Sequence, residues 1–152
     1  MNTYLKELKL TQQDYDDKYD MRILSLGAGV QSSTVLFSML EEKIKPAEFA
    51  IFADTGNEPA EVYEYLKYLK NISKNKIEIV TVKKSNIVDD ALAPKEKGTN
   101  KGFITMPIFA INEQNKKSMG RRQCTNDYKI QPIHKKIREL LGVKSLKNKK
   151  IE

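Results

Sequence analysis

Ser25-Leu26-Gly27-Ala28-Gly29-Val30-Gln31-Ser32-Ser33-Thr34 is the stretch on which the reading of this chain turns. It follows Ile23, Leu24 and Leu26, a short apolar run suited to a buried strand. It precedes a helical pattern that sets Val35, Leu36, Met39 and Leu40 on one face. Glycines let the backbone come close to a ligand and adopt positive φ. A helix that starts just beyond them offers free N–H groups and the positive end of its dipole, both of which favour a phosphate. Ser32, Ser33 and Thr34 add hydroxyl donors in the first turn. The same residues also suit a tight strand–helix turn with serine caps. Two familiar phosphate patterns are absent. No Gly-Lys-Ser/Thr occurs, and Ser32 stands where a dinucleotide fingerprint wants its third glycine.

Outward from this turn the pattern repeats. Phe49-Ala50-Ile51-Phe52-Ala53 reads as a second buried strand ending at Asp54-Thr55-Gly56, and Pro59 suits the first turn of a helix with a Val62, Leu66 and Leu69 stripe. Ile77, Ile79, Val80 and Val82 make a third strand. Two β–α units and a third strand predict an α/β fold with a parallel sheet and right-handed crossovers. Residues 83–119 are rich in Lys, Asn and Gly, punctuated by Pro94, Gly98, Gly102 and Pro107, and read as one long loop. A last helix carries Pro132, Ile133, Ile137, Leu140 and Leu141, with Gly142 as its stop. The predicted organisation is an appendage over 1–20, one domain over 21–142 and a basic tail over 143–152.

Composition narrows the classes. No apolar run approaches the roughly 20 residues that span a bilayer, and the polar start of the chain does not read as a secretory leader. One cysteine and one histidine are too few for a structural zinc site, and Cys124 alone can form no intrachain disulfide. The cytoplasm is the expected compartment, with no membrane partner. The net charge of +7 fits nucleic acid, anionic lipid or an anionic small substrate. Much of the excess lies late, from Lys135 to Lys150, where a solvated face is the simpler account. Tyr63, Tyr65 and Tyr68 share one helix as half-buried packing and make no basic–aromatic platform for single strands.

Three motifs in order carry a resemblance. Gly27-Ala28-Gly29-Val30-Gln31-Ser32 resembles the Ser-Gly-Gly-x-Asp-Ser loop of the PP-loop adenine nucleotide α-hydrolase-like superfamily. Phe52-Ala53-Asp54-Thr55-Gly56-Asn57-Glu58 resembles the Asp-Thr-Gly segment of its phosphoadenosine phosphosulfate (PAPS) reductase branch. Residues 122–133, from Arg122 through Cys124 and Lys129 to Pro132 and Ile133, are similar to that branch's Cys-x-x-x-x-Lys-hydrophobic-x-Pro segment. The resemblance implies a Rossmann-like three-layer fold of the HUP/PP-loop type. It also implies an adenine nucleotide, ATP or PAPS, with Mg²⁺ accompanying it, and action at the α-phosphate or in sulfur transfer. Gly27 and Gln31 depart from the loop's serine and acid, as in loops of PAPS-reductase-like proteins of phages and mobile elements. No later cysteine supports the thiol reductase step, and Thr125 breaks the Cys-Cys pair of cluster-bearing relatives, so no iron–sulfur cluster is expected.

The candidate phosphate-binding residues are therefore Ser25, Gly27, Ala28, Gly29, Gln31, Ser32 and Ser33, with Asp54, Thr55 and Gly56 from the second turn. Asp54 reads either as a contact to ribose or a phosphate-bound metal, or as an acid capping the next helix. Arg121, Arg122 and Lys129 supply the cations an anion needs, Arg by its planar fork and Lys by a point charge. Cys124, beside two arginines, is the one catalytic candidate, with small-residue packing as its plainer role. His134 reads as a surface residue of the last helix. Beside the enzyme stand a non-catalytic nucleotide- or partner-binding protein, a shortened PAPS reductase-like enzyme, a homo-oligomer and, more weakly, a nucleic-acid binder.

Overall fold

The computed structural model describes residues 20–94, 109–111, 115–119 and 123–144. Its centre is β2 (Phe49–Asp54), flanked by β1 (Ile23–Ser25) and β3 (Glu78–Lys83) in the order β1-β2-β3. Both pairings are parallel, with Leu24 opposite Ala50 and Ile51 opposite Val80. The crossovers are α1 (Val30–Leu40) and α2 (Ala60–Ser73). The α/β class and the parallel sheet follow from the continuous apolar run at 49–53, because a strand covered on both faces need not alternate.

The pleat of β2 divides the core. Ala50 and Phe52 join Leu36 and Met39 of α1 and Leu66 and Leu69 of α2 in one buried cluster. Burying a side chain such as Leu36 or Leu69 contributes about 1.5–3 kcal/mol. Ile51 and Ala53 are also buried and point the other way along the pleat. There the last helix lies against β2 and β3 and buries Ile137. Leu36 and Met39 of α1 are buried and Leu40 packs against the cluster, as the pattern predicts, while Val35 is exposed and Ser33 is buried instead.

The predicted loop over 83–119 needs correction. It contains a helix, α3 (Ile87–Leu92), and the strands β4 (Phe109–Ile111) and β5 (Lys117–Met119), which pair antiparallel. Asn86 nucleates α3, since its side-chain oxygen accepts from the N–H groups of Val88 and Asp89. The last helix, α4 (Gln131–Leu140), grows out of a π-helical turn, Asn126–Ile130, where Gln131 N–H bonds back to the Asn126 carbonyl. Pro132 lies in the first turn of α4, and Gly142 closes it at φ 64°, as the sequence pattern predicts. Among the described residues, no helix is long and apolar enough to cross a membrane.

Candidate functional site

Parallel strands put their carboxyl ends on one edge of the sheet, where open α/β sheets take their ligands. Three features meet there: the β1–α1 turn, the segment after β2, and Lys83 at the end of β3.

The β1–α1 turn begins where Leu26 N–H reaches the Ile51 carbonyl at 2.9 Å, one residue past the strand. Gly27 N–H then donates to Ser32 Oγ at 3.1 Å, and the Ser32 hydroxyl donates to the Gly29 carbonyl at 3.3 Å. Ser32 therefore ties the loop to itself. Thr34 turns back onto the Val30 carbonyl at 2.8 Å. Ser33 is buried, and its Oγ meets no hydrogen-bond partner. The expected array of hydroxyl donors is replaced by backbone. Gly29, extended at φ −95°, is the N-cap of α1, and no side chain caps the helix and no acid sits in its first turn. The amides of the first turn and the dipole end are left without a side-chain acceptor.

These groups face an open cavity of about 600 Å³ lined by Ser25, Gly27, Gly29, Val30, Gln31 and Ser32. Ala28, not either glycine of the turn, takes the left-handed conformation, at φ 53°. A Cβ added at Gly29 would meet no atom of the described residues within 4 Å. The protein itself does not require a glycine at that position.

The segment after β2 is a closed network. Asp54 Oδ1 accepts from Gly56 N–H at 2.7 Å and from the Tyr63 hydroxyl at 2.8 Å, while Lys83 Nζ stands 3.7 Å from Oδ2. The Tyr63 oxygen also accepts from Glu58 N–H at 3.3 Å, and Thr55 Oγ1 donates to Glu58 Oε1 at 2.8 Å. Burial, reinforced by the bond to Asp54, pushes the Tyr63 phenol above its ordinary value, so it stays a donor at neutral pH. Asp54 caps the turn and not α2, which starts after Pro59 with no side-chain cap. Tyr63 is the site residue that sequence reasoning missed, because spacing assigned it only to packing.

Gly56 sits at φ 80° against Asn86, whose Nδ2 donates to the Gly56 carbonyl at 2.8 Å. Ile87 N–H bonds the Thr55 carbonyl at 2.9 Å. Thr55 and Gly56 thereby dock the start of α3 and do not line the cavity.

The remaining candidates divide. Arg121 and Arg122 lie outside the described residues. Lys129 is exposed on the π-helical turn and is not part of the cavity lining. Cys124 is half-buried just before that turn, and His134 is exposed on α4. Among the described residues no three His, Cys, Asp or Glu side chains come together to hold a metal, and Asp54 is already engaged on both oxygens.

No protein-family model, curated protein or solved structure matches the chain.

Proposed function

We propose that this domain binds an adenine nucleotide through its phosphates at the β1–α1 turn, as the resemblance to the PP-loop superfamily implies, on a three-layer fold of that type. One observation carries the reading: α1 begins without a side-chain cap or acid, on a roomy cavity at the carboxyl edge of a parallel sheet. The 600 Å³ volume lies within the roughly 300–1,000 Å³ of small-molecule sites. In this arrangement backbone N–H groups of Val30, Gln31 and Ser32 hold phosphate oxygens, and the Gln31 amide adds a neutral donor. Ser32 acts through the loop by bracing Gly27 and Gly29.

A specific feature favours the non-catalytic form of this reading over turnover at the α-phosphate. Among the described residues lining the cavity there is no His, Cys, Lys or carboxylate, so that lining supplies no general base to activate Ser25 or Ser32. The domain then holds its nucleotide and presents it.

Calorimetric titration with ATP and with adenosine tests the proposal. Binding through phosphates requires ATP to bind at least about tenfold tighter, equivalent to about 1.4 kcal/mol. Equal affinities, or no ATP binding, would overturn it.

A further inference from the structure

A second concave surface lies on the far side of Lys83. A cavity of about 440 Å³ opens between the end of β3 and α4, and Lys83, Lys84, Lys135 and Arg138 line it with Asp127 as the one carboxylate. It adjoins a smaller cavity of about 240 Å³, with Lys83, Pro132 and Lys135 common to both linings. The two depressions make one elongated groove. Gln131, Lys135 and Arg138 follow one another at helical spacing, so they form a single wall of α4. Lys83 and Lys84 form the other wall.

The cations of the groove are weakly spoken for. Lys83 leans on Asp54 at 3.7 Å from a half-exposed position, a pairing of little strength in water. Lys84 sits 5.1 Å above the Tyr128 ring. Among the described residues, Lys135 and Arg138 have no ion-pair partner, whereas Lys136 is matched by Glu139 at 3.4 Å. The lining offers no exposed aromatic or large aliphatic anchor of the kind that protein interfaces are built around. A row of cations along a concave surface without an apolar anchor suits a linear chain of phosphates.

We propose that this groove binds the backbone of a single-stranded nucleic acid through Lys83, Lys84, Lys135 and Arg138, without reading its bases. The groove shares no residue with the cavity at the β1–α1 turn, so the proposal stands or falls independently of nucleotide binding.

Fluorescence anisotropy with a labelled 12-nucleotide single-stranded DNA of mixed sequence tests it on the full chain. Four phosphate contacts predict a salt slope of about −3, hence an affinity loss of about 50-fold between 50 and 200 mM salt. The triple variant Lys84→Ala, Lys135→Ala, Arg138→Ala should flatten the slope to about −1 and keep ATP affinity unchanged. A control triple variant, Lys43→Ala, Lys67→Ala, Lys74→Ala, removes the same charge elsewhere and should change the slope little. Equal losses in the two triple variants would overturn the proposal, as would no binding at 50 mM salt. Competition by an oligoglutamate of equal charge as effective as unlabelled DNA would assign the groove to acidic protein segments and overturn it too.

Discussion

Gly56 and Gly29 are both glycines in turns at the carboxyl edge of the sheet, yet they answer to different constraints. At Gly56 the backbone is left-handed, and an added Cβ would stand 2.8 Å from the Asn86 Cα, a backbone atom that cannot swing away. Strain at φ 80° together with that overlap should make Gly56→Ala destabilising by about 2–4 kcal/mol. Urea unfolding measures this directly, and a loss under about 0.5 kcal/mol would contradict the docking of this turn on α3. At Gly29 the conformation is extended and the space open, so the fold tolerates a side chain there. Composition could not separate these cases, since Gly-Ala-Gly and Asp-Thr-Gly both read as loops made for a ligand. The structure gives the second a job within the protein.

Between elements, a part-buried hydrogen bond joins α3 to the π-helical turn. Asp90 of α3 accepts from the Ser85 hydroxyl and, at 2.7 Å, from the buried Tyr128 hydroxyl. Burial first, and the Asp90 hydrogen bond second, push the Tyr128 phenol up to about 12. The raised value means that the folded state holds this proton more tightly than the unfolded state, whose phenol titrates near 10. Its contribution is therefore complete below pH 10 and is lost as the pH rises towards 12, by an amount on the order of 2–3 kcal/mol. Wild type and Tyr128→Phe should accordingly differ most in stability near pH 8 and converge between pH 10 and 12. A gap that stays constant with pH would contradict the account. The sequence gives little warning of this contact. Tyr128 and Asp90 are 38 residues apart, and the lengthening of the hydrogen-bonded span by one residue, which makes the helix π, leaves no compositional mark. The helix α3 is similarly hidden, because six residues are too few to show a period and its signal is one capping Asn86. The strands β1, β2 and β3 and the helices α1, α2 and α4 were legible, because each carries an apolar run or stripe that faces the core.

For the molecule as a whole, the sheet order gathers at one edge what the chain spaces widely: the uncapped start of α1, the Asp54–Tyr63 network and Lys83. The sequence motifs locate two of these, but the bonds from Tyr63 and Lys83 to Asp54 depend on folding and were not readable. The same folding gives Asp54 two donors on Oδ1 and sets Lys83 3.7 Å from Oδ2, while the backbone of the β1–α1 turn is the surface we propose for phosphate. Among the described residues, the cations at this edge lie in the groove beyond Lys83, with none in the lining of the turn's cavity. Phosphate capture by the amides of the β1–α1 turn, as proposed above, is the central claim, and Gly29→Val tests it most directly. Circular dichroism of the variant should match the wild type, and the melting temperature should fall by no more than a few degrees. Val is a poorer N-cap than Gly by about 1 kcal/mol, but its Cβ meets no described atom within 4 Å. Calorimetry should show ATP affinity reduced at least about tenfold, with adenosine binding unchanged. A folded Gly29→Val protein that binds ATP as tightly as the wild type would contradict the account.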